Sequence, residues 1–299
     1  EAGAHVIVEK PMAPSLRECD AMIAAAERGG RLLSPVAQMR FKEAPWKIKR
    51  LLELGLAGRL HHVQTNAFYW RGGSYYDLDW RGRWETEGGG CTLNHAVHYI
   101  DLMLWWAGRP QEVCAFMTNR LHENSEVEDL STAILRYPDG MLGQVTSSLL
   151  HHGERQAILL QADRAAIALP FAVSCCRSLE NGFPQPDPDL ERTIAAAYEG
   201  LPSPRCTGHT GQIENVLQAA EGKGPLLISG ADGRGTLELI TAIYKSATLH
   251  ATVNLPLSPD DEFSTSEGIV KAAPRFFRKT RSVSGFSSNT ITVGSADIR

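Results

Sequence analysis

The sequence has no strong excess of charge of either sign. Among its 299 residues, 30 Lys and Arg stand against 34 Asp and Glu, which gives a formal net charge of -4. Binding to nucleic acid or to an anionic membrane surface usually requires a basic field. The apolar runs are also far shorter than the roughly 18 residues that a membrane-spanning helix needs. We therefore expect neither a nucleic-acid partner nor a membrane.

Cysteine is sparse, and its spacing excludes two further classes of protein. None of the six cysteines forms a C-x-x-C pair, and a chain of this length does not depend on a disulfide framework. The sequence does not open with the charged start, apolar core and small-residue cleavage site of a secretory signal peptide. We expect reduced cysteines and a cytoplasmic location.

The glycine fingerprint of dinucleotide-binding folds, G-x-G-x-x-G after a strand, is missing. GGGCTL at 88–93 lacks the third glycine, and GADGRG at 230–235 has the wrong spacing. The sequence begins with Glu1, and AHVIVEK at 4–10 places a core-type strand directly after it. From this start we expect that an upstream part of the protein is missing.

The first 38 residues have the pattern of a strand, a helix and a second strand. The apolar run at 5–8, the helical periodicity at 15–28 and the run RLLSPVAQ at 31–38 follow one another closely. Two strands joined by a helix in this way are parallel neighbours in one sheet. We predict a βαβ fragment over 1–38, with the first strand buried.

After residue 39 the sequence changes to a period of two. The alternating segments are 61–70, 111–120, 128–137 and 141–150, extended by 154–161 and 164–169, and helical segments are predicted at 188–199, 210–221 and 232–249. The predicted fold class is therefore α/β plus α+β. Residues 39–262 form an open, mostly antiparallel sheet with helices on one face, and 263–299 form a polar, poorly packed tail.

The segment EGGGCTLNHAVHYIDLMLWWAG at 87–108 is apolar, yet it contains several polar side chains. On one continuous helix, Asn94, His98 and Asp101 share a stripe, and His95 lies about 60° around the axis, pointing away from it. An internal hydrogen-bond network is one interpretation, because buried polar groups need partners. A metal site is the second. The third is a catalytic histidine facing a pocket, since glycines before a helix let a ligand approach the backbone.

Lys10 ends the first predicted strand and precedes Pro11. Ligands of open parallel sheets bind at the carboxyl ends of strands. A lysine there is either solvated, with Glu9 as its ion pair, or it holds a substrate oxygen and takes part in proton transfer. Its position alone leaves both interpretations open.

The order of several motifs resembles one enzyme family. The motifs are VIVEKP at 6–11, QMRF at 38–41, WRGRW at 80–84, GGG with NHAVHYID at 88–101, GHTGQIENVLQA at 208–219 and GADGRGTLELITAIYKSA at 230–247. Together, over about residues 1–260, they resemble the Gfo/Idh/MocA oxidoreductases, the family of glucose–fructose oxidoreductase and inositol dehydrogenase. The WRG-W and NHAVH spellings are most similar to branches that act on sugars or nucleotide sugars.

The resemblance implies roles for particular residues. The family's E-K-P lysine contacts the substrate hydroxyl near the nicotinamide of NAD or NADP, and the histidine after the glycines is the acid/base; these are Lys10 and His98. The implied cofactor contacts are Glu9, Pro11, Gln38, Trp80 and Arg81, and the implied substrate contacts are Asn94 and Tyr244. Many members have aspartate where this chain has Asn94, and an amide cannot raise the pKa of a histidine as a carboxylate can. No metal ligand is expected.

Two functions remain open. The resemblance implies NAD(P)-dependent oxidation or reduction of a secondary alcohol of a sugar, polyol or nucleotide sugar. The missing glycine fingerprint favours the alternative, a non-catalytic sugar-binding or assembly protein that has lost the cofactor-binding half, and it predicts weak binding of NAD(P)H by these residues alone. Metal-dependent hydrolysis rests only on the histidine spacing. Relatives pair through the open sheet, so we expect a homo-oligomer.

Overall fold

The computed structural model describes residues 3–287. Its first part is a two-stranded sheet in which β1 (Val6–Val8) and β2 (Leu33–Pro35) are parallel, joined by α1 (Leu16–Gly29). The helix ends at Gly30, whose φ of 59° is a left-handed conformation that glycine adopts without strain. The βαβ fragment predicted over 1–38 is confirmed for the residues described.

The prediction that the first strand, β1, is buried is wrong. Val6 and Ile7 are 42% and 40% exposed, whereas every residue of β2 is buried. The helix Gly230–Leu249 packs on β2, and β1 pairs only with β2 within the described residues. An apolar run predicts a strand, but its burial depends on the neighbours that cover it.

The larger part of the chain is built on a nine-stranded sheet. Its strands are β3 (Leu60–Phe68), β4 (Glu112–Thr118), β5 (Leu130–Arg136), β6 (Leu142–Ser148), β7 (Gln156–Ala162), β8 (Ala165–Leu169), β9 (Ala172–Ser178), β10 (Pro184–Pro186) and β11 (Val253–Asn254). Their order across the sheet is β10-β9-β8-β7-β3-β6-β5-β4-β11. Among the described residues, β3 and β6 at the centre are the only neighbouring strands of this sheet that run parallel. The mostly antiparallel sheet predicted for this region is confirmed.

Helices accompany this sheet. They are α2 (Glu43–Glu53), α3 (Trp84–Glu87), α4 (Cys91–Asn94), α5 (Val97–Ala107), α6 (Pro188–Gly200), α7 (Gly208–Ala220), α8 (Gly230–Leu249) and α9 (Ser266–Ala272). Of these, α2, α4, α5, α6 and α8 contact its strands and pack on one face of it. α5 packs on β3 and α8 on β4, and the two helices contact each other. α5 is buried on most sides because apolar residues surround it. Within residues 3–287, no helix is long and apolar enough to cross a bilayer.

The opposite face of the sheet exposes large apolar side chains. Phe116, Ile134 and Leu142 are 69%, 50% and 48% exposed, and Leu159 is also exposed. The strand register places them on one face. Ile134 is opposite Cys114 on β4, and Phe116 is two residues further along that strand, on the same face. Ile134 is also opposite Gln144 on β6, and Leu142 is two residues before Gln144, again on the same face. We call Phe116, Ile134, Leu142 and Leu159 the outer face.

The prediction of a poorly packed tail is wrong for residues 263–273 and for Lys279, whereas residues 280–287 are exposed. Phe263 and Ile269 are buried, and α9 lies against α3. Further along, Lys279 is buried and donates from Nζ to the main-chain oxygens of Tyr76 and Leu78. The polar composition did not reveal the contacts of Lys279, because its acceptors are main-chain oxygens of the loop at 76–78. Residues 288–299 lie outside the described residues.

Candidate active site

A cleft of about 1430 Å³ opens where the end of β1 meets the segment that follows β3. Its walls come from residues 10–14, 70–95 and 266–286, together with Glu154. Of the residues singled out in the sequence, the cleft is lined by Lys10, Pro11, Trp80, Arg81 and Asn94. The structure therefore brings together five positions that are up to 84 residues apart.

Lys10 reaches across the cleft to the glycine-rich segment. Its Nζ donates to the main-chain oxygen of Asn94 at 2.9 Å. Burial lowers the pKa of Lys10; Glu9 and Glu87 oppose this shift, and Arg81 adds to it. Lys10 is therefore a partly desolvated cation rather than a solvated strand-end lysine.

The glycines at 88–90 pack against the protein itself. Buried Glu128 accepts hydrogen bonds from the amides of Gly90 and Thr92 at 2.9 and 3.0 Å. A Cβ on Gly89 would overlap the Tyr244 side chain, and one on Gly90 would overlap the main-chain oxygen of Glu128. The two glycines are thus required by the close approach of buried groups behind the loop.

The prediction that Tyr244 borders the substrate is wrong. This side chain is 2% exposed and lines neither the cleft nor the smaller pocket beside it. Its hydroxyl donates to Glu128 Oε1 at 3.0 Å and accepts from the Leu93 amide at 3.2 Å. Tyr244 supports the loop from behind.

The single helical stripe predicted through Asn94, His98 and Asp101 does not form. α4 ends at Asn94, and α5 begins at Val97. The amides of His95 and Ala96 both donate to the Cys91 oxygen, at 3.1 and 3.0 Å, so the chain takes an extra residue as in a π-bulge. This local change alters which side chains face the cleft.

The prediction that His95 points away from the site is wrong, because it lines the cleft. Its ring packs between those of Tyr69 and Tyr75, with Nε2 3.4 Å from the Tyr75 hydroxyl. Its Nδ1 is buried and has no hydrogen-bond partner. Burial holds the pKa of His95 well below its usual value, and the nearby cations Arg71 and Lys10 act in the same direction. His95 is therefore a neutral imidazole in the wall of the cleft.

His98 lines a second, smaller pocket of about 30 Å³ behind Lys10. Lys10, Pro11 and Leu93 line both this pocket and the cleft. The structure thus places His98 beside Lys10, in a pocket that Asn94 and His95 do not line.

Arg81 is stacked between two aromatic rings. Its guanidinium carbon lies 4.1 Å from the ring centre of Trp80 and 3.9 Å from that of Tyr75. Nη1 donates to the Tyr75 hydroxyl and, at 3.1 Å, to Glu87 Oε1. The Nε of Arg81 is buried without a partner. This arrangement gives the cleft a rigid cationic wall.

Sequence analysis missed Glu87. Its carboxylate accepts hydrogen bonds from Arg81 and from Asn94 Nδ2, the latter at 3.2 Å. Burial raises the pKa of Glu87 to about 7, although the Gly82 amide and Arg81 act against this shift. The only signal in the sequence was its position between the WRGRW motif and the glycines.

Two predicted cofactor contacts lie away from the cleft. Glu9 is exposed at the end of β1, and its carboxylate accepts from the Lys10 amide at 3.3 Å. Gln38 begins a 3-10 turn, and its Oε1 is buried without a partner. Neither side chain lines either pocket.

The far end of the cleft contains residues that the motifs did not indicate. Arg71 pairs with Glu154 at 2.6 Å, and Trp70 lies beside them, 40% exposed. Phe286 closes part of the opposite wall. Within residues 3–287, no three His, Cys, Asp or Glu side chains are grouped to hold a metal ion, so the metal interpretation gains no support.

Comparisons with known proteins place these features in one family. Residues 1–36 match the model described as "Oxidoreductase family, NAD-binding Rossmann fold", and residues 46–168 match the "GFO/IDH/MocA C-terminal domain". Levoglucosan dehydrogenase of Pseudarthrobacter phenanthrenivorans is 25% identical over 292 residues, which cover 86% of this chain and 75% of that protein.

Other relatives share shorter segments or the fold. The 1-carboxy-3-chloro-3,4-dihydroxycyclohexa-1,5-diene dehydrogenase of Comamonas testosteroni is 31% identical over 157 residues, half of this chain. The WlbA dehydrogenase of Bordetella pertussis, solved in complex with NADH and UDP-GlcNAcA, superposes with a TM-score of 0.69 at 27% identity, covering 85% of this chain and 72% of that one.

The matched regions are not whole proteins. The chain spans between 26% and 38% of the length of the first three curated relatives that it matches. The two family models match both parts of the fold in the order that the motifs indicated, and the resemblance is confirmed. The chain belongs to the Gfo/Idh/MocA family of oxidoreductases.

Proposed function

We propose that the protein is an NAD(P)-dependent oxidoreductase that acts on a secondary alcohol of a sugar, polyol or nucleotide sugar. One observation carries this proposal. Lys10, a partly desolvated cation at the carboxyl end of β1, is held on Asn94 in the cleft that His95 and Arg81 also line. A cation, a neutral imidazole and aromatic rings in one cleft suit an alcohol that becomes a carbonyl group.

The residues present fit one end of the cofactor. Pro11, Trp80 and Arg81 would hold the nicotinamide end, and the unpartnered Arg81 Nε is a buried donor available there. The chemistry that a bound nicotinamide supplies is acceptance of a hydride from the carbinol carbon, or its return to a ketone. The pyrophosphate end has no glycine fingerprint in the 299 residues.

The chain's own residues handle the proton and the charge. Lys10 stabilises the alkoxide oxygen, and a histidine takes the hydroxyl proton. We retain His98 as this acid/base because of its motif position and its place beside Lys10. His95, which lines the cleft, contacts a second hydroxyl of the substrate. The relatives that act on levoglucosan or bind UDP-GlcNAcA support a sugar-like substrate.

The rival function is a sugar-binding or assembly protein without catalysis, and the missing glycine fingerprint favours it. An assay separates the two. The protein is incubated with NAD or NADP and a panel of aldoses, inositols and UDP-sugars, and formation of reduced nicotinamide is followed by absorbance. We expect turnover that Lys10→Ala abolishes and that Lys223→Ala, at an exposed surface lysine, leaves unchanged. Binding of a sugar without turnover in any combination would support the rival.

Two further proposals concern the protein's setting. A homo-oligomer through the outer face would cover its exposed apolar side chains. A cytoplasmic location agrees with the six cysteines, each of which is unpaired.

A further inference from the structure

Glu87 joins two groups of side chains in the cleft. Its side chain is 1% exposed. Oε1 accepts from Arg81 Nη1 at 3.1 Å and from Asn94 Nδ2 at 3.2 Å, and Oε2 accepts from the Gly82 amide at 2.5 Å. A carboxylate offers only acceptors, so the ionised form satisfies all three donors. A proton on either oxygen would oppose one of them.

Asn94 extends this connection to the reactive end of the cleft. Its side-chain amide is bound by Glu87, and its main-chain oxygen accepts from Lys10 Nζ. The same residue therefore links a buried carboxylate to the cation that we place on the substrate. Asn94 Nδ2 also donates to the Gly89 oxygen at 2.9 Å, which provides a second anchor if Glu87 is neutral.

We propose that Glu87 is a positioning residue whose charge state decides how Asn94, and through it Lys10, is held in the cleft. The consequence for catalysis rests on the proposed function, but the coupling of Glu87 to Asn94 does not. The ionised form holds the Asn94 amide on the Glu87 carboxylate, and the neutral form leaves that amide on the main-chain oxygens of Gly89 and Gly90.

Charged and titratable groups face Glu87 from every element that packs on it. They are Arg81 beside it on the loop, Lys10 after β1, Lys279 in the C-terminal segment, Glu128 before β5, and Tyr75 and Tyr76 on the 3-10 turn before the loop. With burial they place the pKa of Glu87 at about 7. Both charge states are therefore populated near neutral pH, where a small change in environment shifts the balance.

Nuclear magnetic resonance of the Asn94 side-chain amide tests the coupling without any need for activity. In the wild-type protein we expect its shifts to titrate between about pH 5.5 and 8.5, around the pKa of Glu87. Glu87→Gln should remove this titration. Glu85→Gln is the matched control, because Glu85 is exposed two residues earlier on the same helix and the chemical change is identical. The control should titrate like the wild type.

Two results would overturn the proposal. The first is an Asn94 amide in the folded wild-type protein that does not move over this pH range. The second is a titration of Asn94 that persists unchanged in Glu87→Gln. If Glu87→Gln does not fold, as judged by circular dichroism, Glu87→Asp replaces it and should shift the midpoint, whereas an unchanged midpoint counts against the coupling.

Kinetics then test the catalytic consequence. In the wild type we expect kcat/KM to decrease as the pH is lowered below about 7, and in Glu87→Gln we expect this acidic decrease to be absent. The decrease should be mainly in kcat, because Lys10 acts on the developing alkoxide. An acid limb identical in both proteins would refute the link to catalysis. Absence of turnover in the wild type would instead refute the proposed function, and the Asn94 titration would still decide the coupling.

Discussion

Arg40 and Asp101 form a buried ion pair that joins the turn after the βαβ fragment to the middle of α5. The Nη2–Oδ1 and Nε–Oδ2 distances are 2.7 and 2.9 Å, and both residues are 4% exposed. Asp232 of α8 adds a second carboxylate, 3.2 Å from Nη1. Arg40 therefore joins α5 and α8 to the turn that carries it. This cluster lies beside the pocket of His98, because Asp101 also lines that pocket.

Removing one partner of this pair should destabilise the fold. Arg40→Met leaves the Asp101 carboxylate buried without its main cation, and such a loss typically costs about 3–5 kcal/mol. Unfolding in urea measures the change in free energy. Arg50→Met on α2 is the control, since Arg50 is half exposed and pairs with Glu53 at the surface, where a pair is worth about 0–1 kcal/mol. Equal costs for the two variants would show that the pair adds no more stability than a surface contact.

Substitutions of the three residues around the proposed alcohol site should change different kinetic constants. Lys10→Ala and His98→Ala remove charge stabilisation and acid/base catalysis, so each should lower kcat by about 10²–10⁴-fold. His95→Ala removes a binding nitrogen and should mainly raise KM. Steady-state rates decide this, with His209→Ala, an exposed histidine on α7, as the control. A larger loss of kcat in His95→Ala than in His98→Ala would exchange the two roles.

Glu87 should make stability depend on pH. Its pKa of about 7 in the folded protein lies above the value of about 4.3 expected when unfolded, so between these pH values the native state binds the proton more tightly. The stability that this proton contributes is present below about pH 4 and is lost as the pH rises through 7. Relative to Glu87→Gln, the wild type should lose on the order of 3–4 kcal/mol over this range, at 1.36 kcal/mol per pH unit.

Urea unfolding at several pH values measures this difference, and Glu85→Gln should follow the wild type. If the free energy of unfolding depends on pH in the same way in the wild type and in Glu87→Gln, the pKa of Glu87 in the folded protein is close to its value in the unfolded chain.

The outer face should control assembly. Phe116→Glu and Ile134→Glu place charges among exposed apolar side chains, so we expect them to shift a homo-oligomer towards monomer in light scattering. Leu217→Glu on α7, also 60% exposed but away from the sheet, is the control. A wild-type protein that is monomeric at all working concentrations would contradict this prediction.

The 299 residues alone should bind NADH weakly. A glycine loop and the helix N-terminus after it normally hold the pyrophosphate, and neither the sequence nor the described structure contains that loop. Calorimetric titration is the measurement, with ADP as the control ligand that lacks the nicotinamide. Tight binding of NADH would reveal a pyrophosphate site that the motifs do not show.

Periodicity predicted the elements well wherever the chain keeps one period over a long segment. α8 was expected at 232–249 and spans Gly230–Leu249, and the alternating segments at 128–137 and 141–150 contain β5 and β6. β10 and β11 were missed because they contain only three and two residues, too few to show a period. The packing of the C-terminal segment was missed because its buried apolar residues, such as Phe263 and Ile269, are few and follow no clear period, and because Lys279 bonds main-chain oxygens.

The sequence motifs identified several residues of the candidate site, but they did not predict how the side chains are oriented in it. Lys10 and Asn94 came from motifs, and the structure joins them by one hydrogen bond. The orientation of His95 was wrong because a helical wheel assumes a continuous helix, and one extra residue at Ala96 interrupts it. Tyr244 was misplaced because the sequence gives no sign of which side of a glycine loop a neighbouring helix contacts.

The attachment of the C-terminal segment has a consequence for folding during synthesis. Val283 pairs with Leu78 and exchanges main-chain hydrogen bonds with Asp77 and Asp79, next to the loop that carries Trp80 and Arg81. A ribosome delivers residue 283 only after about two hundred further residues have followed that loop, so the sheet can form before the cleft has its final wall. A nascent chain released before residue 283 is synthesised would contain Lys10 and His98, but its cleft would lack the wall that the C-terminal segment supplies.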